Sequence, residues 1–168
     1  MENRLGIYKL FPDVNLPKYA TSGSACFDVC AYLKDEMEIS YYDANNDKLT
    51  KNCWENSIDV YPGQRYLIPT GMVLDIPKGH SIRVHPRSGL SLKNGIILSN
   101  CEGVIDSDYV EQLYIILTNV SRVIHTINHG DKICQAELQL DLRCNFHELD
   151  ICPNKKTDRD GGFGSTGE

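Results

Sequence analysis

Apolar positions along this chain recur in short alternating runs, and no long window keeps the period of a helix. Val, Ile, Leu, Thr and Tyr concentrate in Tyr66–Pro69, Met72–Ile76, Ser81–His85, Gln112–Asn119, Val123–Ile127 and Ile133–Leu142. Such side chains fit a pleated, half-buried surface, so each run predicts a strand. Between them stand Tyr61-Pro62-Gly63, Pro77-Lys78-Gly79 and Asn128-His129-Gly130-Asp131, whose residue types make tight turns. The pattern is all-β, and the regular turn spacing predicts a barrel or sandwich. One short helix is expected at Ser88–Lys93, with Ser88 as its cap after Pro86 and Arg87, and Gly95 as its stop.

Two segments break the pattern. Residues 34–57 are more polar and carry Tyr41, Tyr42 and Trp54 around Asp43-Ala44-Asn45-Asn46-Asp47, which reads as an inserted hairpin. After Cys152-Pro153 the chain turns polar and ends in a glycine-rich run from Arg159 to Gly167. Glycine loses the most backbone entropy on ordering, so this run cannot form a core of its own. A lone Arg, a lone aromatic and small hydroxyls among glycines are nonetheless what a flap closing over a nucleotide needs. The organisation expected is one β domain over residues 1–153 and a flexible lid over 154–168.

With 168 residues, 41% hydrophobic and 24% charged, the chain is long enough to bury the core of a single domain. No run of apolar residues is long enough to span a bilayer, and the start lacks the basic and apolar regions of a secretory signal. A cytoplasmic protein with no membrane partner is expected. Seven cysteines without a repeated spacing then read as reduced thiols rather than a disulfide frame. A net charge of −6 argues against a protein whose main work is covering nucleic-acid phosphates. Yet the stretch from Lys78 to Cys101 contains no Asp or Glu while carrying Lys78, Arg83, Arg87 and Lys93. Such a local positive island suits a small polyanion.

No GxxxxGK[ST] loop is present, so phosphates must be held otherwise. Pro86-Arg87-Ser88-Gly89-Leu90 offers a fixed turn, a bidentate guanidinium, a hydroxyl donor and a glycine that permits close backbone approach. Farther on, Asn100-Cys101-Glu102-Gly103-Val104-Ile105-Asp106-Ser107-Asp108-Tyr109 sets acids beside a Gly-bearing hairpin and an aromatic ring. Asp106 follows the apolar pair Val104 and Ile105, an arrangement suited to a carboxylate at a pocket wall that deprotonates a water.

These two segments stand in order with Ser24-Ala25-Cys26-Phe27-Asp28, Gly130-Asp131-Lys132-Ile133-Cys134-Gln135 and Arg159 through Gly167. In that order and across nearly the whole chain, the sequence resembles the trimeric-type deoxyuridine triphosphatase (dUTPase; dUTP diphosphatase) family. The resemblance implies a distorted β-barrel of the β-clip, jelly-roll-like kind, a homotrimer with shared active sites, and Mg²⁺-dependent hydrolysis of dUTP to dUMP and pyrophosphate. It implies that Asp28 meets Mg²⁺ through water, and that Arg87, Ser88, Gly89 and Gln135 bind phosphate. Asn100 and the backbone of Gly103, Val104 and Ile105 would pair with uracil, Tyr109 would stack on the deoxyribose, and Asp106 would activate the attacking water. Arg159 would clamp the terminal phosphate, Phe163 would cover the base, and Gly164, Ser165 and Thr166 would close around the phosphates. Two alternatives remain open on the sequence: a regulatory protein of this fold acting through residues 34–57, and a dCTP deaminase-like enzyme.

Overall fold

The computed structural model describes residues 4–158, which form twelve strands and one helix. In chain order they are β1 (Gly6–Lys9), β2 (Phe27–Cys30), β3 (Glu38–Tyr42), β4 (Lys48–Asn52), β5 (Ser57–Val60), β6 (Arg65–Asp75) and β7 (His80–His85). Then come α1 (Ser88–Asn94), β8 (Ile96–Leu98), β9 (Gly103–Ile105), β10 (Gln112–Asn119), β11 (His125–Asn128) and β12 (Lys132–Leu140).

Alternation along the strands decides what is buried. In β10, Leu113, Ile115, Leu117 and Asn119 face inward, while Tyr114 and Ile116 face out. Ile82 and Val84 of β7, Val29 of β2 and Ile68 of β6 join the same core. Each fully buried Leu or Ile contributes about 1.5–3 kcal/mol relative to exposure. The strands divide into three sheets: β4-β3-β6-β10-β8 with β1 also on β6, the pair β11-β5, and β2-β12-β7-β9. They wrap one core without closing a continuous barrel, and a mostly β architecture with a single short helix is what the pattern predicts.

The differences from the expected elements have local causes. Tyr66–Pro69 and Met72–Asp75 belong to one strand, β6, which passes through Thr70-Gly71 and ends one residue short of the expected Ile76. Gly71 takes φ +69°, and Thr70 Oγ1 spans the irregularity by donating to Leu113 O at 2.8 Å and accepting from Met72 N at 3.3 Å. A Cβ at residue 71 would lie 2.6 Å from Val14 Cγ2, so the position admits only glycine without rearrangement. The helix is where it was expected, but Ser88 is its first residue rather than its cap. Arg87 occupies the N-cap with no side-chain cap bond, and Gly95 closes the other end in the left-handed region at φ +66°.

Buried Asn119 joins β10 to the neighbouring loops. Its amide nitrogen donates to Val60 O at 2.9 Å and Val123 O at 2.7 Å, and its oxygen accepts from Ser121 N and Oγ. All its polar capacity is used, so the buried amide fixes geometry without a desolvation penalty left over. Within residues 34–57, β3 and β4 pair around a tip where Asp43 Oδ1 accepts from Asn45 N and Asp47 N. This hairpin docks on β6 through Tyr41 and Tyr66, whose rings stack at 4.9 Å. After β12, no helix or strand follows through Asp158, and Leu142, Phe146, Leu149 and Ile151 are exposed. Among the described residues no helix is long and apolar enough to cross a membrane.

Candidate active site

Two clusters contain the candidate residues. The first is a cleft of about 360 Å³ beside the turn between β8 and β9. Asn100, Gly103, Val104, Ile105, Asp106 and Tyr109 all line it. The turn is tight: Cys101 sits at φ +61°, and Glu102 N donates to Asn100 O at 2.6 Å. β9 then pairs with β7, with Gly103 opposite Val84. A Cβ at Gly103 would come within 3.2 Å of Val84 Cβ and 3.6 Å of the Asn100 amide nitrogen, so glycine lets the turn lie close to β7. Tyr109 donates from its hydroxyl to Gln112 O at 2.9 Å, which holds the ring at the mouth. Burial, then the nearby Glu111, pushes its hydroxyl pKa up and keeps it a neutral donor. Asp106 is exposed and borders both this cleft and a more polar one that holds Arg83 and Arg143.

Leu67, Val84, Leu98, Leu113, Tyr114, Ile115 and Ile116 complete the cleft and were not among the site residues singled out from sequence. The signal was present for Tyr114 and Ile116, which alternate outward on β10 against a buried Leu113 and Ile115. Outward apolar residues on a strand otherwise in register with the core are candidates for a binding surface.

The second cluster lies where β2, β12 and the end of β7 meet. Gln135 pairs across from Asp28 on one side and from His85 on the other, so the strand register sets the cluster. Arg87 Nε is 3.2 Å from Asp28 Oδ1, and Lys132 Nζ is 2.7 Å from Asp28 Oδ2. Arg87 Nη1 donates to Lys132 O at 3.0 Å, and Gln135 Nε2 donates to Pro86 O at 3.2 Å. Ser88 and Gly89 follow at the exposed start of α1, with open space beside Gly89. Beneath them Cys134 and Cys30 are held as neutral thiols, their pKa values raised chiefly by burial. The seven cysteines are all free.

Part of the positive island is compensated from the turn before β9 and from β12. His85 lies 3.7 Å from Glu102 and 3.3 Å from Glu137, and Arg83 lies 3.9 Å from Glu102. Only Arg87 of this set turns toward Asp28. These exposed pairs contribute about 0–1 kcal/mol each and serve mainly to tie the turn before β9 to β7 and β12.

A single carboxylate whose two oxygens face Arg87 and Lys132 is no metal cage of its own. Among the described residues no three His, Cys, Asp or Glu side chains gather as a metal cluster. Arg159, Phe163, Gly164, Ser165 and Thr166 lie outside the described residues.

The cleft runs along β7: Gly103 pairs with Val84, which also lines the cleft, three residues before Arg87. Ile105 pairs with Ile82, which sets Asp106 near Ser81, whereas Arg87 lies past the other end of the strand.

The family model for dUTPase matches residues 53–167. A deoxyuridine 5'-triphosphate nucleotidohydrolase of Finegoldia magna is 43% identical over 153 residues, covering 90% of this chain and 91% of that protein. Its counterpart in Treponema denticola is 38% identical over 159 residues, 95% of each chain. Among solved structures, the dUTPase of Staphylococcus bacteriophage 80alpha with dUpNHpp aligns with a TM-score of 0.75 at 17% identity, over 99% of this chain and 100% of that one. At that identity the structural likeness speaks for the fold, while the sequence matches speak for descent. The chain belongs to the dUTPase family.

Proposed function

We propose that this protein is a dUTP diphosphatase that hydrolyses dUTP to dUMP and pyrophosphate at a site completed by more than one copy of the chain. The observation that carries this reading is the convergence of Asn100, Gly103, Val104, Ile105, Asp106 and Tyr109 on one cleft, in a chain of this family. The backbone of Gly103, Val104 and Ile105, with Asn100, reads the polar edge of uracil and leaves no room for thymine's methyl group. Tyr109 stacks on the deoxyribose and disfavours a 2′-hydroxyl. Asp106 removes a proton from water as its oxygen attacks the α-phosphorus. The bond from that phosphorus to the bridging oxygen breaks, and pyrophosphate leaves.

Arg87, Ser88, Gly89 and Gln135 hold the phosphates, supplying charge where phosphoryl transfer most needs it. In this reading the protein is a homotrimer in which one copy offers the base cleft and a neighbour the phosphate cluster, so that each site is completed at a subunit boundary. Mg²⁺ on the phosphates, meeting Asp28 through water, would neutralise charge that develops on the leaving oxygens. A dUTPase from phage phi11 of S. aureus is described with a structural Mg(II) ion. The exposed arm from Leu142 to Asp158 leads toward Arg159, Phe163, Gly164, Ser165 and Thr166, which we assign to a lid over the substrate on the strength of the family match through residue 167. Free thiols fit a reducing, cytoplasmic setting.

The test is pyrophosphate release by purified protein with Mg²⁺, comparing dUTP with dCTP, dTTP and UTP. A clear preference for dUTP is expected. Equal rates on the four nucleotides would reject the substrate assignment, and deoxyuridine nucleotide formation from dCTP would favour a deaminase instead.

A further inference from the structure

Strand β12 departs from regular pairing at one place. Gln135 lies opposite Asp28 and Cys134 opposite Val29, but Lys132 rather than Ile133 lies opposite Cys30. Uninterrupted pairing would set Ile133 across from Cys30, and residues directly opposite share a face of the sheet. The extra residue therefore turns Lys132 onto the face of Asp28, Cys30 and Gln135, while Ile133 and Cys134 are both buried. Bulges re-aim side chains in this way beside functional sites.

Once turned, Lys132 touches both members of the Asp28–Arg87 pair. Its ammonium occupies Asp28 Oδ2 at 2.7 Å, and its carbonyl accepts from Arg87 Nη1 at 3.0 Å. A carboxylate facing a guanidinium alone draws it into a bidentate pair, which would commit the donors a phosphate needs. With Oδ2 occupied by Lys132, Arg87 meets Asp28 with its Nε 3.2 Å from Oδ1.

We propose that Lys132 is a positioning residue for the triphosphate: the bulge places it to hold Asp28 and Arg87 as an open pair, with Nη2 of the guanidinium left to receive phosphate. This rests on the phosphate role proposed above for Arg87. It assigns Lys132 no contact with the reacting atoms.

The experiment compares wild type, Lys132→Met and Lys132→Arg as full chains. Binding of non-hydrolysable dUpNHpp and of dUMP is titrated, and KM and kcat for dUTP are measured alongside. Lys132→Met is expected to weaken dUpNHpp binding and raise KM about tenfold, with kcat changed by less than about threefold and dUMP binding nearly unchanged. Lys132→Arg, which keeps a donor to Asp28, should restore most of the loss. Equal loss of dUMP and dUpNHpp binding in Lys132→Met would mark a merely structural role and overturn the proposal, as would wild-type binding of both. Should Lys132→Met not fold, Lys132→Gln carries the same comparison. A wild-type protein that binds dUpNHpp no tighter than dUMP would instead sink the phosphate role of Arg87 itself.

Discussion

Asp106→Asn is expected to lower dUTP turnover about 10³-fold, within the span of roughly 10²–10⁴ that a positioned general base contributes. Asparagine keeps the size and hydrogen-bonding shape of the side chain but cannot accept the proton of an attacking water. Asp106 borders the cleft and is not among the groups to which we assign uracil, so substrate should still bind. The signature is a collapse of kcat with the affinity for dUpNHpp preserved. Burst-free steady-state kinetics and a calorimetric titration measure the two quantities separately. Turnover close to wild type would remove Asp106 from the mechanism, and a parallel loss of binding would recast it as a binding group.

Arg87→Ala should act on the other side of that division. A hydrogen bond to a charged group contributes about 1.5–3 kcal/mol, so loss of the guanidinium should raise KM for dUTP by roughly 10²-fold. Removing Arg87 also leaves Asp28 with Lys132 as its partner, so the carboxylate is not stranded and the sheet around Gln135 should persist. KM is read from initial rates over a wide range of dUTP. An unchanged KM would show that the phosphates are held elsewhere.

The strands richest in β-branched residues were legible because their burial alternates with period two, as β10 does throughout and β7 does from Ile82 to His85. The short strands β1, β2, β5 and β8 were not, since three or four residues carry too little alternation to stand out. Ser88 was misjudged as a cap because its hydroxyl suits that role, while the extended conformation at Arg87 places the cap one residue earlier. For the site, the ordered segments supplied the candidates, but sequence order does not reveal which of them meet. The base-cleft residues are neighbours in sequence and lie together, whereas Asp28, Arg87 and Gln135 meet only through the register of β2, β12 and β7. Lys132 escaped notice for the same reason: a one-residue bulge, invisible in composition, decides which face it joins.

The account stands or falls on a site built from two chains. Arg87→Ala and Asp106→Asn proteins, each nearly inactive at low dUTP, can be co-assembled by co-expression and assayed together. If base cleft and phosphate cluster come from different copies, random mixing in equal amounts makes about a quarter of the sites wild type, each drawing Asp106 from one parent and Arg87 from the other. Activity should then rise to roughly that fraction of the wild-type rate. A mixture no more active than its parents would contradict the account, placing both clusters of each working site on a single chain.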